Sequence, residues 1–252
     1  MKVKVIASGS KGNCTLIRTD KINILIDMGI TYQVLCNELD KISLSPKELD
    51  AILITHTHND HTKGLASLVK KTNIKVYILE TMLEELGNKI PHDNINFYEE
   101  PLLLEDLKVE TFKISHDVDG VGFIIENNGR NLVYVTDTGY INENYFSKLK
   151  NKNMYIIESN HDEEMVMEGP YPYILKQRVL SDKGHLSNIT TAGYLQELVG
   201  NHTEKIILAH ISENNNTEEL ALNTTLEALQ EKNIDLPVLV AKQYESLEEV
   251  EV

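Results

Sequence analysis

Three histidines and an aspartate lie within six positions of the sequence, at His56, His58, Asp60 and His61. They follow a short apolar run, residues 51–54, which is typical of a buried strand. Alternate residues of an extended chain point to the same side, so His56 and His58 can bind one ion together. Asp60 and His61 lie further round the turn and can reach a second ion. Imidazole and carboxylate groups are the usual ligands of zinc, manganese and iron.

The alternative for this run is an exposed polar loop that happens to be rich in histidine. We disfavour it because clustered titratable groups at the end of a buried strand need partners. A metal centre needs more ligands than one run supplies, and three candidates each follow another predicted strand: His116 after 107–114, Asp137 after 132–135, and His210 after 205–209. Taken singly, such a residue is more often a turn or cap residue, and only the first run favours the metal interpretation.

The elements that must position these residues alternate between strands and helices. The strands are predicted at 3–7, 14–17, 22–26, 51–54, 75–79, 107–114, 120–126, 132–135, 154–157, 205–209 and 236–240. The helices are predicted at 65–70, 81–87, 142–149, 188–199 and 218–230, and a capping box at 45–48 opens a short one. This alternation predicts an α/β layered sandwich. We expect a single domain over 1–252, with two similar halves that meet near residue 120.

Composition limits the class of protein. No apolar run approaches the ~20 residues that span a bilayer, so no membrane association is expected. The first residues alternate basic and apolar types and predict a strand, not a signal peptide. The only cysteines are Cys14 and Cys36, which favours a cytoplasmic protein without disulfides. The net charge of −15 argues weakly against a nucleic-acid partner, although a metal site adds local positive charge. The acidic residues 245–252 are expected to form a solvated, partly frayed end.

The pattern His56-x-His58-x-Asp60-His61, followed by His116, Asp137 and His210, resembles the signature of the metallo-β-lactamase superfamily. The resemblance implies an αββα four-layer sandwich with two divalent metal ions, which could be zinc, manganese or iron. It also implies the ligands: His56, His58 and His116 for one ion, Asp60, His61 and His210 for the other, and Asp137 as a bridge between them.

Members of this superfamily hydrolyse several kinds of bond, and two features favour phosphodiesters here. A full two-metal set can clamp the attacking and leaving oxygens of a phosphoryl displacement. The run Gly184-His185-Leu186-Ser187 also resembles the additional histidine of the nuclease branches, which contacts the scissile phosphate or protonates the leaving oxygen. The alternative is that Ser187 only caps the following helix and that His185 is an exposed neighbour.

Further motifs are similar to the small bacterial YycJ/WalJ-type proteins, a family associated with 5′-to-3′ exonuclease activity on double-stranded DNA. They occupy residues 7–13, 158–162, 169–172, 176–178 and 184–188. The resemblance implies double-stranded DNA as the partner, and the ligand set together with His185 suggests catalytic roles for Asp60, Asp137 and His185. The candidate substrate-binding residues are His161, Lys176, Arg178 and Ser187. For His161 the alternative is a loop histidine paired with Asp162, and for the two basic residues it is a solvated helix face.

Three other functions stay open at this point. Hydrolysis of a small ester or thioester, as in the glutathione-thioesterase branch, needs the same ions but not His185. A ribonuclease that processes transfer RNA or other RNA would use the same chemistry. A binding or regulatory protein with structural metal ions is a non-enzymatic alternative, although structural sites are closed by protein ligands. The sequence contains no feature that sets the oligomeric state.

Overall fold

The computed structural model describes residues 1–252. The strands are β1 Lys2–Ala7, β2 Cys14–Arg18, β3 Asn23–Ile26, β4 Ala51–Leu53, β5 Lys75–Ile78, β6 Ile95–Phe97, β7 Leu102–Leu104, β8 Leu107–Lys113, β9 Val121–Asn127, β10 Arg130–Val135, β11 Met154–Glu158, β12 Lys205–Ala209, β13 Val238–Val240 and β14 Val250–Glu251. The helices are α1 Tyr32–Asp40, α2 Asn59–Thr62, α3 Leu65–Thr72, α4 Leu83–Leu86, α5 Phe146–Leu149, α6 Glu163–Glu168, α7 Tyr173–Val179, α8 Asn188–Leu198 and α9 Glu218–Glu231, with 3₁₀ turns at Pro46–Glu48, Glu80–Met82, His92–Asn94 and Glu143–Tyr145.

The strands form two seven-stranded sheets. The first sheet has the order β14-β1-β2-β3-β4-β5-β6 and the second has the order β13-β12-β11-β10-β9-β8-β7. In both sheets one half is antiparallel and the other is parallel, with the change at the β3–β4 and β10–β11 pairs. The chain passes from the first sheet to the second between Phe97 and Leu102. The division into two similar halves near residue 120 stays a prediction.

Strands in the middle of both sheets are buried on both faces. In β3, Ile24 and Ile26 belong to the cluster between the sheets, whereas Leu25 belongs to the cluster beneath the helices of the first sheet. In β11, Met154 lies between the sheets and Tyr155 lies under the helices of the second sheet. Such alternation requires two stacked sheets with helices outside them. The αββα four-layer sandwich is therefore confirmed.

Most predicted elements lie within two residues of the observed ones, and β12 matches at both ends. The predicted capping box is present, because Ser45 accepts from the backbone nitrogen of Lys47 and Glu48 accepts from the backbone nitrogen of Ser45, at 3.3 and 2.7 Å. It opens only a 3₁₀ turn. The sequence analysis missed β6, β7 and β14 and the helices α1, α2, α6 and α7. None of the helices is long and apolar enough to cross a membrane.

The C-terminal residues are not frayed, so that expectation was wrong. The strand β14 pairs antiparallel with β1 at the edge of the first sheet. Glu249 forms an ion pair of 2.9 Å with Arg18, and the buried Lys4 ammonium donates to the carbonyl of Leu247 at 3.0 Å. Val252 is only 8% exposed. Glu249 is thus paired with basic residues of both β1 and β2.

Deleting residues 247–252 should destabilise the whole fold. The deletion removes an edge strand, exposes apolar side chains and takes a hydrogen-bond acceptor from buried Lys4. We expect a loss of about 3 kcal/mol in the free energy of unfolding, and a fall in melting temperature of roughly 5–10 °C by calorimetry. The exposed substitution Glu251→Gln is the control and should melt like the native protein. An unchanged melting temperature after deletion would show that the tail contributes nothing.

Candidate metal centre

The predicted ligands meet at one edge of the two sheets, because each follows the carboxyl end of a strand. His56 and His58 follow β4 of the first sheet, and α2 then carries Asp60 and His61. His116 follows β8, Asp137 follows β10 and His210 follows β12, all in the second sheet. The loops from both sheets therefore close over the same point. All seven predicted metal ligands are brought together there, in two adjoining groups.

The first group contains His56, His58 and His116, whose ligand atoms lie within 4.8 Å of one another. His116 Nε2 and His58 Nδ1 are 3.3 Å apart, a distance that two nitrogens facing a common ion can have. The other nitrogen of each ring has a partner elsewhere. His116 Nδ1 donates to the carbonyl of Gly184 at 3.2 Å, and His58 Nε2 lies 3.1 Å from Asp117. These contacts fix which nitrogen of each ring faces the group.

The second group contains Asp60, His61, Asp137 and His210, again within 4.8 Å. His61 Nε2 lies 3.2 Å from one oxygen of Asp137, and His210 Nε2 lies 3.5 Å from the other. Burial and the neighbouring His61 lower the pKa of His56, whereas Asp137 opposes that shift. Asp137 therefore belongs to the second group by distance and also acts electrostatically on His56 of the first group.

Three buried atoms of these groups have no hydrogen-bond partner: His56 Nε2, Asp137 Oδ2 and His210 Nε2. A buried polar atom without a partner costs about 1–3 kcal/mol. Two of these atoms are imidazole nitrogens and the third is a carboxylate oxygen. All three can bind a divalent cation through a lone pair. The residues present therefore fit divalent metal ions.

Asp27 supports the second group, and the sequence analysis gave it no role. Its carboxylate is fully buried after β3, where it lies 2.7 Å from His61 Nδ1 and accepts from the backbone nitrogen and hydroxyl of Thr55. A carboxylate only accepts, so His61 carries its proton on Nδ1 and turns the lone pair of Nε2 toward the group. The amide of Asn13 also approaches that nitrogen, at 2.9 Å.

Glu158 is a second functional residue that was missed, although the motif that contains it was noticed. Its buried carboxylate lies 2.7 Å from His210 Nδ1 and 2.8 Å from His185 Nδ1. Burial disfavours its charge, yet His185 and His210 lower the pKa of Glu158 to about 2. His185 also lies 3.7 Å from Asp137, and its side chain is 19% exposed. Glu158 thus holds the partly exposed imidazole of His185 beside the two ligand groups.

The predicted substrate-binding residues Lys176, Arg178 and Ser187 all have partners within the protein. Arg178 forms an ion pair with Asp117 at 2.5 Å, and through that carboxylate it connects α7 to His58. Lys176 donates to the carbonyl of Met167 at 2.5 Å. Ser187 is buried and caps α8, as the alternative interpretation held.

His161 is also buried, and its Nδ1 has no hydrogen-bond partner. Burial lowers the pKa of His161 to about 4, so the ring is neutral. The carboxylate of Asp162 caps α6 by accepting from the backbone nitrogen of Met165. A pair of His161 with Asp162, the alternative given for this residue, is therefore absent.

The family model of the metallo-β-lactamase superfamily matches residues 7–210, a stretch that contains every candidate ligand. The chain belongs to the metallo-β-lactamase superfamily. Two curated relatives are similar in sequence to this chain over nearly their whole length. Exodeoxyribonuclease WalJ of Streptococcus pneumoniae is 35% identical over 94% of this chain and 91% of its own. Exodeoxyribonuclease YycJ of Bacillus anthracis is 36% identical over 90% of this chain and 89% of its own. This superfamily member is therefore of the WalJ/YycJ type.

A solved structure supports the fold independently. The metallo-β-lactamase fold protein YhfI of Bacillus subtilis superposes on this superfamily member with a TM-score of 0.76, at 17% sequence identity. The similarity covers 98% of this chain and 99% of that one.

Replacing Asp27 by asparagine should weaken metal binding, because the amide is a poorer acceptor and no longer fixes the tautomer of His61. The loss of such a partner typically lowers metal affinity about 10–100-fold. Competition with a chromophoric chelator measures the affinity directly. The matched control is Asp50→Asn, an exposed residue that accepts from the backbone nitrogen of Asn23. Equal affinities of the two variants would contradict the role of Asp27.

Proposed function

We propose that this chain is a two-metal phosphodiesterase that degrades double-stranded DNA from 5′ ends, in the cytoplasm. The observation that carries the proposal is the imidazole of His185, held by Glu158 at 2.8 Å beside Asp137. Hydrolysis of a phosphodiester leaves an alkoxide that must be protonated, and a positioned imidazole supplies that proton. The names of the WalJ and YycJ relatives, both exodeoxyribonucleases, support DNA as the substrate.

The buried charge supports two divalent ions. Asp27, Asp60, Asp137 and Glu158 lie at the centre, and none of them forms an ion pair with a lysine or arginine. Two divalent cations balance four negative charges, whereas one leaves an excess that is costly in a buried site. We assign His56, His58 and His116 to one ion, Asp60, His61 and His210 to the other, and Asp137 to both. Imidazole with carboxylate suits zinc, manganese or iron.

Bound divalent ions lower the pKa of water and neutralise charge on phosphoryl oxygens. The residues of this chain supply the rest. Asp137 keeps the two ligand groups at a fixed separation, and Asp60, whose side chain is 23% exposed, can accept a hydrogen bond from the attacking water. His185 donates its proton to the departing sugar oxygen from Nε2, because Nδ1 is engaged by Glu158. Glu158 then stabilises the orientation of the ring, as carboxylates do for catalytic histidines.

Manganese-loaded protein should release mononucleotides from 5′-labelled duplex DNA. The variant Asp60→Ala should lose at least about 100-fold in rate, because it removes a ligand and an acceptor for water. The variant His185→Ala should lose about 10²–10⁴-fold, the usual contribution of a general acid. Electrophoresis of the labelled products measures both rate and direction.

The matched control is His92→Ala, an exposed histidine outside the ligand groups, which should cleave at the native rate. Loss of activity in Asp60→Ala with full activity in His185→Ala would contradict the role of the imidazole. Cleavage of a thioester reporter without cleavage of any DNA would move the assignment to the glutathione-thioesterase branch. Progressive shortening of the 5′-labelled strand before any labelled mononucleotide appears would overturn the direction.

A further inference from the structure

A cavity of about 360 Å³ opens beside the metal centre, on the side of His116. Its wall contains that candidate ligand together with Lys113, Asp117, Asp119, Tyr140 and Lys183. Cavities that bind small molecules begin at roughly 300 Å³, so a single nucleotide unit is within range. Neither Tyr140 nor Lys183 has a role in the reaction described above.

The backbone around this cavity is closely fixed to the metal centre. A Cβ atom on Gly139 would lie 2.3 Å from the backbone of Asp182, so only glycine lets the loop after β10 pack against the turn 181–184. The carbonyl of Gly184 in that turn accepts from His116 Nδ1 at 3.2 Å. Lys183 therefore extends from a turn that is anchored to a candidate metal ligand.

The charges around the cavity leave one ammonium group without a partner. Asp117 is paired with Arg178 at 2.5 Å, and Asp119 is paired with Lys113 at 3.7 Å. Lys183 forms no ion pair, and its backbone nitrogen, not its ammonium group, donates a hydrogen bond to the hydroxyl of Ser181. In a chain of net charge −15, an unpaired cation beside a metal centre is a suitable partner for a phosphate.

Two tyrosines, Tyr140 and Tyr145, line the cavity, and only Tyr140 has a ring that no other aromatic side chain covers. Tyr140 is 41% exposed, and its backbone carbonyl accepts from the hydroxyl of Thr138 at 2.7 Å, which holds the residue in place. Tyr145, in contrast, packs its ring against Phe112 and uses its hydroxyl to accept from the backbone of Lys113. An uncovered ring on a fixed backbone is a stacking surface for a nucleobase.

We propose that this cavity binds the nucleotide next to the scissile phosphate, with its base stacked on Tyr140 and its phosphate contacted by Lys183. The proposal deepens the proposed function and rests on it. A larger cavity of about 550 Å³ lies around Lys242, but that ammonium pairs with Glu218 and Glu245, and Glu213 adds a further carboxylate. That cavity has an excess of carboxylates and would repel a phosphate, whereas the wall of the cavity beside His116 has as many lysines as aspartates and leaves the Lys183 ammonium unpaired.

The test is isothermal titration calorimetry of the manganese-loaded protein with dAMP and, separately, with inorganic phosphate. Calorimetry needs no turnover, so the result does not depend on the reaction. Stacking of one base corresponds to about tenfold in affinity, so dAMP should bind about tenfold more tightly than phosphate to the native protein. Tyr140→Leu should abolish this difference by weakening dAMP alone, whereas Tyr140→Phe should keep it.

A second variant tests the phosphate contact. Lys183→Gln should weaken dAMP and phosphate equally, by about fivefold or more, because it removes a charge that both ligands contact. The matched controls are Phe97→Leu, an exposed aromatic residue at the edge of the first sheet, and Lys89→Gln, a surface lysine paired with Glu85. Both controls should bind both ligands as the native protein does.

Three results would overturn the proposal. They are equal affinity of the native protein for dAMP and phosphate, an unchanged difference in Tyr140→Leu, and unchanged binding of both ligands in Lys183→Gln. A DNA-cleaving protein that gives any of these results refutes the cavity assignment alone. Binding that depends on Tyr140 in a protein that cleaves no DNA would support the cavity and refute the reaction.

Discussion

Three fully or nearly fully buried carboxylates, Asp27, Asp137 and Glu158, meet at the end of the sandwich without any lysine or arginine beside them. Their contacts are with imidazoles, hydroxyls and backbone nitrogens. Buried carboxylates without cations are unstable, because desolvation of a charge costs several kcal/mol. Burial opposes the charge of Asp137, yet His210 and His61 hold its pKa well below the usual range. The site is thus built around negative charge that requires positive charge.

The two stacked sheets explain how so much charge is held in place. Ligands from β4 in one sheet and from β8, β10 and β12 in the other reach a common point only because the strand ends of both sheets lie at the same edge. Close backbone contacts lock the loops together. A Cβ atom on Gly29 would lie 1.5 Å from the carbonyl oxygen of Asp60, so the loop after β3 packs directly against α2. Asp27, Asp137 and His210 have φ values of 60°, 56° and 56°, and such left-handed backbone costs roughly 1–2 kcal/mol per residue. The surrounding packing must outweigh that strain.

Much of this centre was predictable from local patterns. The strands before His56 and Asp137 contain short continuous apolar runs, and the strand before His116 alternates apolar and polar residues, so the candidate ligands could be placed at strand ends. Asp27 could not be found in this way, because an aspartate after a strand is an ordinary turn residue. Its contact with His61 depends on the parallel pairing of β3 with β4, which brings together residues 34 positions apart. Glu158 ends a strand and has no local signal that separates it from a surface residue.

The fold was predictable to a similar extent. The elements that were not predicted were missed for physical reasons. The helices α6 and α7 are only six and seven residues long and bury one residue each, so they lack the apolar stripe from which helices are recognised. The strand β14 is a two-residue edge strand within an acidic segment, and Arg18 and Lys2 from the other end of the chain pair with the adjacent Glu249. Sequence separation of more than 230 residues hides that match from any local pattern.

The most direct test of this account is anomalous diffraction from crystals of the protein grown with manganese. Two anomalous peaks are expected, one on either side of Asp137. One should be contacted by His56, His58 and His116, and the other by Asp60, His61 and His210. A single peak, or two peaks that share none of these ligands, would contradict the central claim that buried negative charge at the strand ends holds a pair of divalent ions.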